Sequence, residues 1–101
     1  MAVARLSPRA RRELTEAIRR IAKDNPLAAE ALHQTVIKAA ALITDNPRIG
    51  FVREAWAGTS RRFFVVSGFP YLLVYNAERH PPLILRVVHG AHDLPAALRD
   101  R

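Results

Sequence analysis

Two apolar runs, Tyr71 to Tyr75 and Leu83 to His89, dominate the second half of the chain, and the polar stretch Asn76-Ala77-Glu78-Arg79-His80-Pro81-Pro82 between them cannot continue a strand. Runs rich in β-branched and aromatic residues, bounded by turn formers, predict a β-hairpin with a loose loop. Both runs are apolar on successive positions rather than alternating, which predicts strands covered on most of both faces. Arg86 interrupts Leu83-Ile84-Leu85-Arg86-Val87-Val88. A guanidinium buried without a partner would cost several kcal/mol, so Arg86 must reach water, a carboxylate or another molecule.

Upstream, the period changes. Ala2 to Leu6 is a short strand candidate, closed by Ser7-Pro8, where Ser7 can cap a helix that begins on Pro8. Leu14, Ile18 and Ile21 recur at helical spacing beside Ala10, Ala17 and Ala22, with Arg9, Arg12, Glu13, Glu16, Arg19, Arg20 and Lys23 in the other sectors. This predicts an amphipathic helix with one face on the core and a mixed-charge face in water. Asp24-Asn25-Pro26 ends it and opens a second helix, because the residue before proline avoids the α region and Pro26 suits the first helical position. That helix runs from about Leu27 to about Ile43, with Ala28, Leu32, Val36, Ala39, Ala40 and Ile43 on one side. Its alanines permit close packing on a neighbour. His33 and Lys38 fall on the polar side and are read as solvated.

Asp45-Asn46-Pro47-Arg48-Ile49-Gly50 is a turn-rich exit, and the irregular stretch Phe51 to Gly58 holds Trp56, read as a core plug. Arg61-Arg62-Phe63-Phe64-Val65-Val66 predicts a further strand, and Ser67-Gly68-Phe69-Pro70 turns it into the hairpin. After Gly90, Leu94 to Arg99 reads as a short tail with at most one helical turn. The order strand, helix, helix, strand, strand, strand predicts an α+β domain: an N-terminal strand and an α-helical hairpin packed on a mainly antiparallel four-stranded sheet. Helices on one side would leave the far side of the sheet apolar and open, a surface of the kind that marks a partner site.

The 101 residues suffice for one domain, 1–101, with a modest core. No cysteine is present, which excludes disulfides and thiolate metal sites. Neither a membrane-spanning run nor a signal-peptide core is visible, so a cytoplasmic location with no membrane partner is expected. Sixteen Lys and Arg against nine Asp and Glu give a net charge of +7, which calls for an acidic partner: nucleic acid, membrane surface or acidic protein.

The candidate chemistry is sparse. His89, His92 and Asp93 supply metal-ligand types, yet no fourth ligand accompanies them, and a structural role is the better reading, with no cofactor implied. Tyr75, Arg86 and His89 could form an acid–base cluster, but residues three apart point to opposite faces of a regular strand. Arg61, Arg62 and Arg86 could cradle a phosphate; the alternative favoured here is pairing with Asp93, Glu54 or an acidic partner.

Read in order, Leu6-Ser7-Pro8-Arg9-Ala10, Asp24-Asn25-Pro26, Asn46-Pro47-Arg48-Ile49-Gly50, Arg61-Arg62-Phe63, Tyr71-Leu72-Leu73-Val74-Tyr75 and Arg86-Val87-Val88-His89-Gly90-Ala91-His92-Asp93 resemble the RelE/ParE superfamily of toxin–antitoxin toxins. The closing segment is similar to that of the ParE branch, which usually carries Arg where this chain has His92. Two biochemistries share the fold. The resemblance implies, for the RelE branch, ribosome-dependent cleavage of mRNA by basic sheet residues and a C-terminal aromatic or histidine. In this alignment those positions fall on Leu72 and near Leu98, neither of which moves a proton or holds a phosphate. The ParE branch implies a non-enzymatic toxin that poisons DNA gyrase and is neutralised by an acidic ParD-like antitoxin with a ribbon-helix-helix half. Such a complex is a hetero-oligomer that touches DNA only through the antitoxin. The expected binding surface is Arg61, Arg62, Tyr75, Arg86, His89, His92 and Asp93, with apolar burial dominant and the positive charge speeding encounter. The alternatives are a RelE-type endoribonuclease and a member that binds its antitoxin without toxicity.

Overall fold

The computed structural model describes residues 4–53 and 60–90. Strand β1 (Arg5–Leu6) leads into helices α1 (Pro8–Ala22) and α2 (Pro26–Asp45), and strands β2 (Arg61–Val65), β3 (Tyr71–Asn76) and β4 (Leu83–His89) follow. The sheet order is β1-β4-β3-β2. The last three strands form an antiparallel meander and β1 lies parallel to β4, so the α+β architecture expected from the sequence is the one observed. Among the described residues no helix is long and apolar enough to cross a membrane.

Both helices start as their sequences dictate. Ser7 caps α1, its hydroxyl accepting from the Ala10 N–H at 3.0 Å, and Asn25 caps α2, its side-chain carbonyl accepting from the Ala28 N–H at 3.0 Å. A proline follows each cap. Ala10, Leu14 and Ala17 of α1 are buried, and so are Leu32, Val36, Ala39, Ala40 and Ile43 of α2, against Leu73, Tyr75, Ile84 and Val87 of the sheet. On α2 it is Ala29, one position beyond the expected Ala28, that is buried in the first turns. His33 and Lys38 are exposed, as expected.

The far side of the sheet is open only in part. Phe63, Val74 and Val88 are buried there with Phe51 and Leu72 packed on them, while Val65, opposite Leu72 on the same face, is 55% exposed. Phe51 makes a two-hydrogen-bond antiparallel bridge to Phe63, both bonds 2.8 Å, and the rings stack at 5.6 Å. The short stretch after α2 thus serves as a cover, because an apolar face and an unpaired edge at β2 are satisfied together. Trp56 and the tail from Leu94 to Arg99 lie outside the described residues.

The sequence pattern also missed an irregularity in β4. Val74 faces Arg86 while Tyr75 faces Ile84, which leaves Leu85 as an extra residue. Such a bulge re-aims the side chains beside it, here at the position of the strand's one charge.

Candidate functional site

The outer edge of β4 is covered by β1 only opposite Leu83 and Ile84. Past that point Ser7 leaves the edge to begin α1: its N–H donates to the Ile84 carbonyl at 2.8 Å and its hydroxyl to the Leu85 carbonyl at 2.9 Å. The next edge group, the Val87 N–H, donates not to a strand but to Oε1 of Glu13 on α1, at 2.8 Å. Arg86 closes on the same carboxylate, with Nε 2.9 Å and Nη2 2.6 Å from Oε2. The side chains of Arg86 and Glu13 retain 16% and 23% of their exposure, so this is a partly buried, forked pair rather than a surface contact. It answers the demand that Arg86 made from the sequence. Its described partner is Glu13; Asp93 and Glu54, the carboxylates expected, lie outside the described residues.

Beside this pair runs a groove of about 910 Å³ between α1 and the sheet edge, lined by Arg11, Arg12, Arg19 and Arg20 with Leu6, Pro8, Tyr71 and Val87 among its apolar walls. His89 stands at its end of β4, opposite Tyr71, with the two rings edge to face at 5.5 Å. Glu13 and Glu16 line the same groove, so its four guanidinium groups leave it with a positive excess rather than a uniform charge.

The other expected site residues do not converge on Arg86. Arg62 on β2 donates through Nη1 to the carbonyls of Gly50 at 2.7 Å and Arg48 at 3.2 Å. Its neighbour across the strands, Tyr75, is wholly buried, with its hydroxyl donating to the Pro47 carbonyl at 2.6 Å and accepting from the Gly50 N–H at 2.9 Å. Tyr75 presents no surface in this structure and acts as an internal brace for the loop. Burial pushes its pKa above the ordinary value, and the Gly50 hydrogen bond and the Arg62 charge pull against that rise. Arg61 opens β2 opposite Asn76, near the hydroxyl of Ser60. With β3 between β2 and β4, the three arginines act at separate places rather than as one cradle. His92 and Asp93 lie outside the described residues, and among those described no three His, Asp or Glu side chains come together as metal ligands.

Glu13 was the residue missed. Its signal is present in the sequence: Ala10, Glu13, Leu14 and Ala17 are spaced as one helical face, so an acid sits at the rim of the core stripe, matching the single charge in the apolar strand.

With this geometry established, the chain can be set beside known proteins. A family model described as the ParE toxin of the type II toxin–antitoxin system, parDE, matches residues 4–94. Among solved structures, a chain of the chromosomal ParDE toxin–antitoxin system from P. aeruginosa is similar with a TM-score of 0.73 and 14% sequence identity, over 88% of this chain and 96% of that one. No curated protein matches. At that identity the structural likeness concerns the fold, which here is two helices on a four-stranded mixed sheet. The family model spans nearly the whole chain, and the chain belongs to the ParE toxin family of type II toxin–antitoxin systems.

Proposed function

We propose that this ParE-family toxin acts on DNA gyrase in the cytoplasm as a binding inhibitor, not as an enzyme, and that an acidic ParD-like antitoxin holds it silent in a hetero-oligomer. The ParDE pair from P. aeruginosa supports an antitoxin partner by analogy. The observation that carries the binding reading is the engagement of the polar groups a ribonuclease would need. Tyr75 is sealed in the core, Arg62 is occupied by two carbonyls and Arg86 is held by Glu13, and the superfamily resemblance puts Leu72 where the nucleases carry an arginine. Proton transfer and phosphate stabilisation need such groups aimed at a substrate.

The antitoxin would lie along the arginine-lined groove of α1, with apolar contact to Leu6, Pro8 and Tyr71 supplying affinity and charge supplying encounter rate. Two assays on one preparation test the target. The pure chain should inhibit supercoiling by gyrase and should leave message intact on programmed ribosomes. Cleavage of message at the ribosomal A site at sub-stoichiometric toxin would replace this reading with the endoribonuclease.

A further inference from the structure

Glu13 fills a receptor that the rest of the chain builds. Arg86 presents Nε and Nη2 as a fork, and the Val87 N–H points out of the sheet beyond the last residue that β1 covers. A planar fork with an added backbone N–H is a general carboxylate receptor. In a longer sheet that N–H would donate to the next strand's carbonyl, so Glu13 stands where the acceptor of an added strand would stand. A second observation concerns where Glu13 could go. Nε of Arg9, one turn back on α1, is already 4.0 Å from the same Oε2.

We propose that Glu13 is a placeholder: a carboxylate of an acidic, extended protein segment lying in the α1 groove takes over Arg86 and Val87, and Glu13 moves to Arg9. This rests on the reading that an acidic antitoxin holds the chain. Charge selects the occupant, because a groove in which Arg11, Arg12, Arg19 and Arg20 outnumber Glu13 and Glu16, beside a carboxylate receptor, favours an acidic segment over a neutral one. The exchange swaps one ion pair for another, so neither the free nor the bound chain leaves Arg86 or the edge N–H without an acceptor. It also sets the affinity. The incoming carboxylate competes with one tethered on the adjacent helix at high effective concentration, so removing the tethered one should tighten binding.

The test uses the full chain and a fluorescent oligoglutamate peptide as the probe. Glu13→Gln should bind the probe on the order of tenfold more tightly than wild type, the scale on which an intramolecular competitor lowers apparent affinity. Glu13→Gln combined with Arg86→Gln should lose that gain. A probe affinity that is unchanged or weaker in Glu13→Gln overturns the proposal, as does a gain that persists without Arg86. Should Glu13→Gln unfold, formate provides a second readout on that variant: by occupying the vacated receptor it should restore folding at concentrations that leave wild type unchanged, and no rescue overturns the idea. A chain that binds the probe in this way but has no effect on gyrase would sink the proposed function and leave the exchange standing. The reverse outcome, gyrase inhibition with probe affinity indifferent to Glu13, would sink the exchange alone.

Discussion

Arg62 and Tyr75 face each other across β2 and β3, and both end on the same loop: the guanidinium on the Arg48 and Gly50 carbonyls, the phenol on the Pro47 carbonyl and the Gly50 N–H. The turn between α2 and β2 is thereby tied to the middle of the sheet from two sides. Tyr75→Phe keeps the ring but strands a buried N–H and a carbonyl, which should lower unfolding free energy by about 1–3 kcal/mol. Urea titration checks this, and a midpoint equal to that of wild type would show the brace to be dispensable.

Gly50 meets the same tyrosine from the other direction. A Cβ built there would lie 2.7 Å from the Tyr75 hydroxyl and 2.8 Å from the Phe63 carbonyl, and backbone cannot yield as a flexible side-chain end can. Gly50→Ala should therefore cost about 1–3 kcal/mol through overpacking, more than an alanine at Gly68, where no neighbour lies near and only the positive φ of 84° resists. The two melting curves rank the effects. A Gly50→Ala protein as stable as wild type would mean that the loop moves freely away from Tyr75.

The raised pKa of Tyr75 makes stability fall at alkaline pH. The unfolded tyrosine loses its proton near pH 10 while the folded one keeps it, so above pH 10 the unfolded state binds fewer protons and is favoured as pH rises. The stabilising contribution is complete below pH 10 and is lost as pH climbs toward the folded-state value. Tyr75→Phe should flatten this alkaline slope relative to wild type, read as melting temperature against pH. An identical slope in both would assign the alkaline loss to other groups.

Much of this fold was legible because local and long-range signals agree. Ser7-Pro8 and Asn25-Pro26 mark both helix starts, and the apolar runs place β3 and β4 almost to the residue. The far face was legible only in part because strand pattern says which positions are apolar but not what will lie on them; Val65 stays exposed, while Phe51 reaches Phe63 through an isolated bridge that no periodicity announces. The site was less legible still. Arg86 stood out as a charge in an apolar strand, yet its partner is 73 residues away on a helix whose charged face looked uniformly solvated. Tyr75 looked available because aromatic strand residues serve surfaces and cores alike, and only the loop carbonyl waiting at Pro47 decides between them.

Ser7 joins three elements at one point. It caps α1, donates its hydroxyl to Leu85 in the bulge, and continues the β1 ladder through its N–H. Ser7→Ala removes the first two and should cost about 1–2 kcal/mol, the usual range for a lost N-cap. Ser7→Asp should restore the cap but not the donor to Leu85, so its stability should fall between the two. An alanine variant indistinguishable from wild type by denaturant titration would show that water replaces both bonds without loss.

Glu13 and Arg86 allow a complete thermodynamic cycle, and the outcome separates a structural pair from a merely adjacent one. Arg86→Leu leaves the Glu13 carboxylate with the Val87 N–H and the more distant Arg9, at a site where 23% of its side-chain surface still reaches water. The loss should be about 1–2 kcal/mol, below that of a fully buried pair broken on one side. Glu13→Leu is the worse change, because it removes the acceptor from both Arg86 and the edge N–H, and about 2–3 kcal/mol is expected. With both replaced by leucine, neither charge of the pair remains to be solvated, but the Val87 N–H still lacks its acceptor, so apolar packing beside Leu14 and Val87 should recover only part of the loss, the part that comes from leaving one charge of the pair alone. A positive coupling of about 1–2 kcal/mol in the four-variant cycle is the expected result, and coupling near zero would mean the two side chains contribute independently. Supercoiling inhibition measured on the same four proteins then isolates function. If the double-leucine variant is as stable as wild type and inhibits gyrase equally, Arg86 serves the fold alone; if it is stable but inert, the pair belongs to the surface by which the toxin meets its partners.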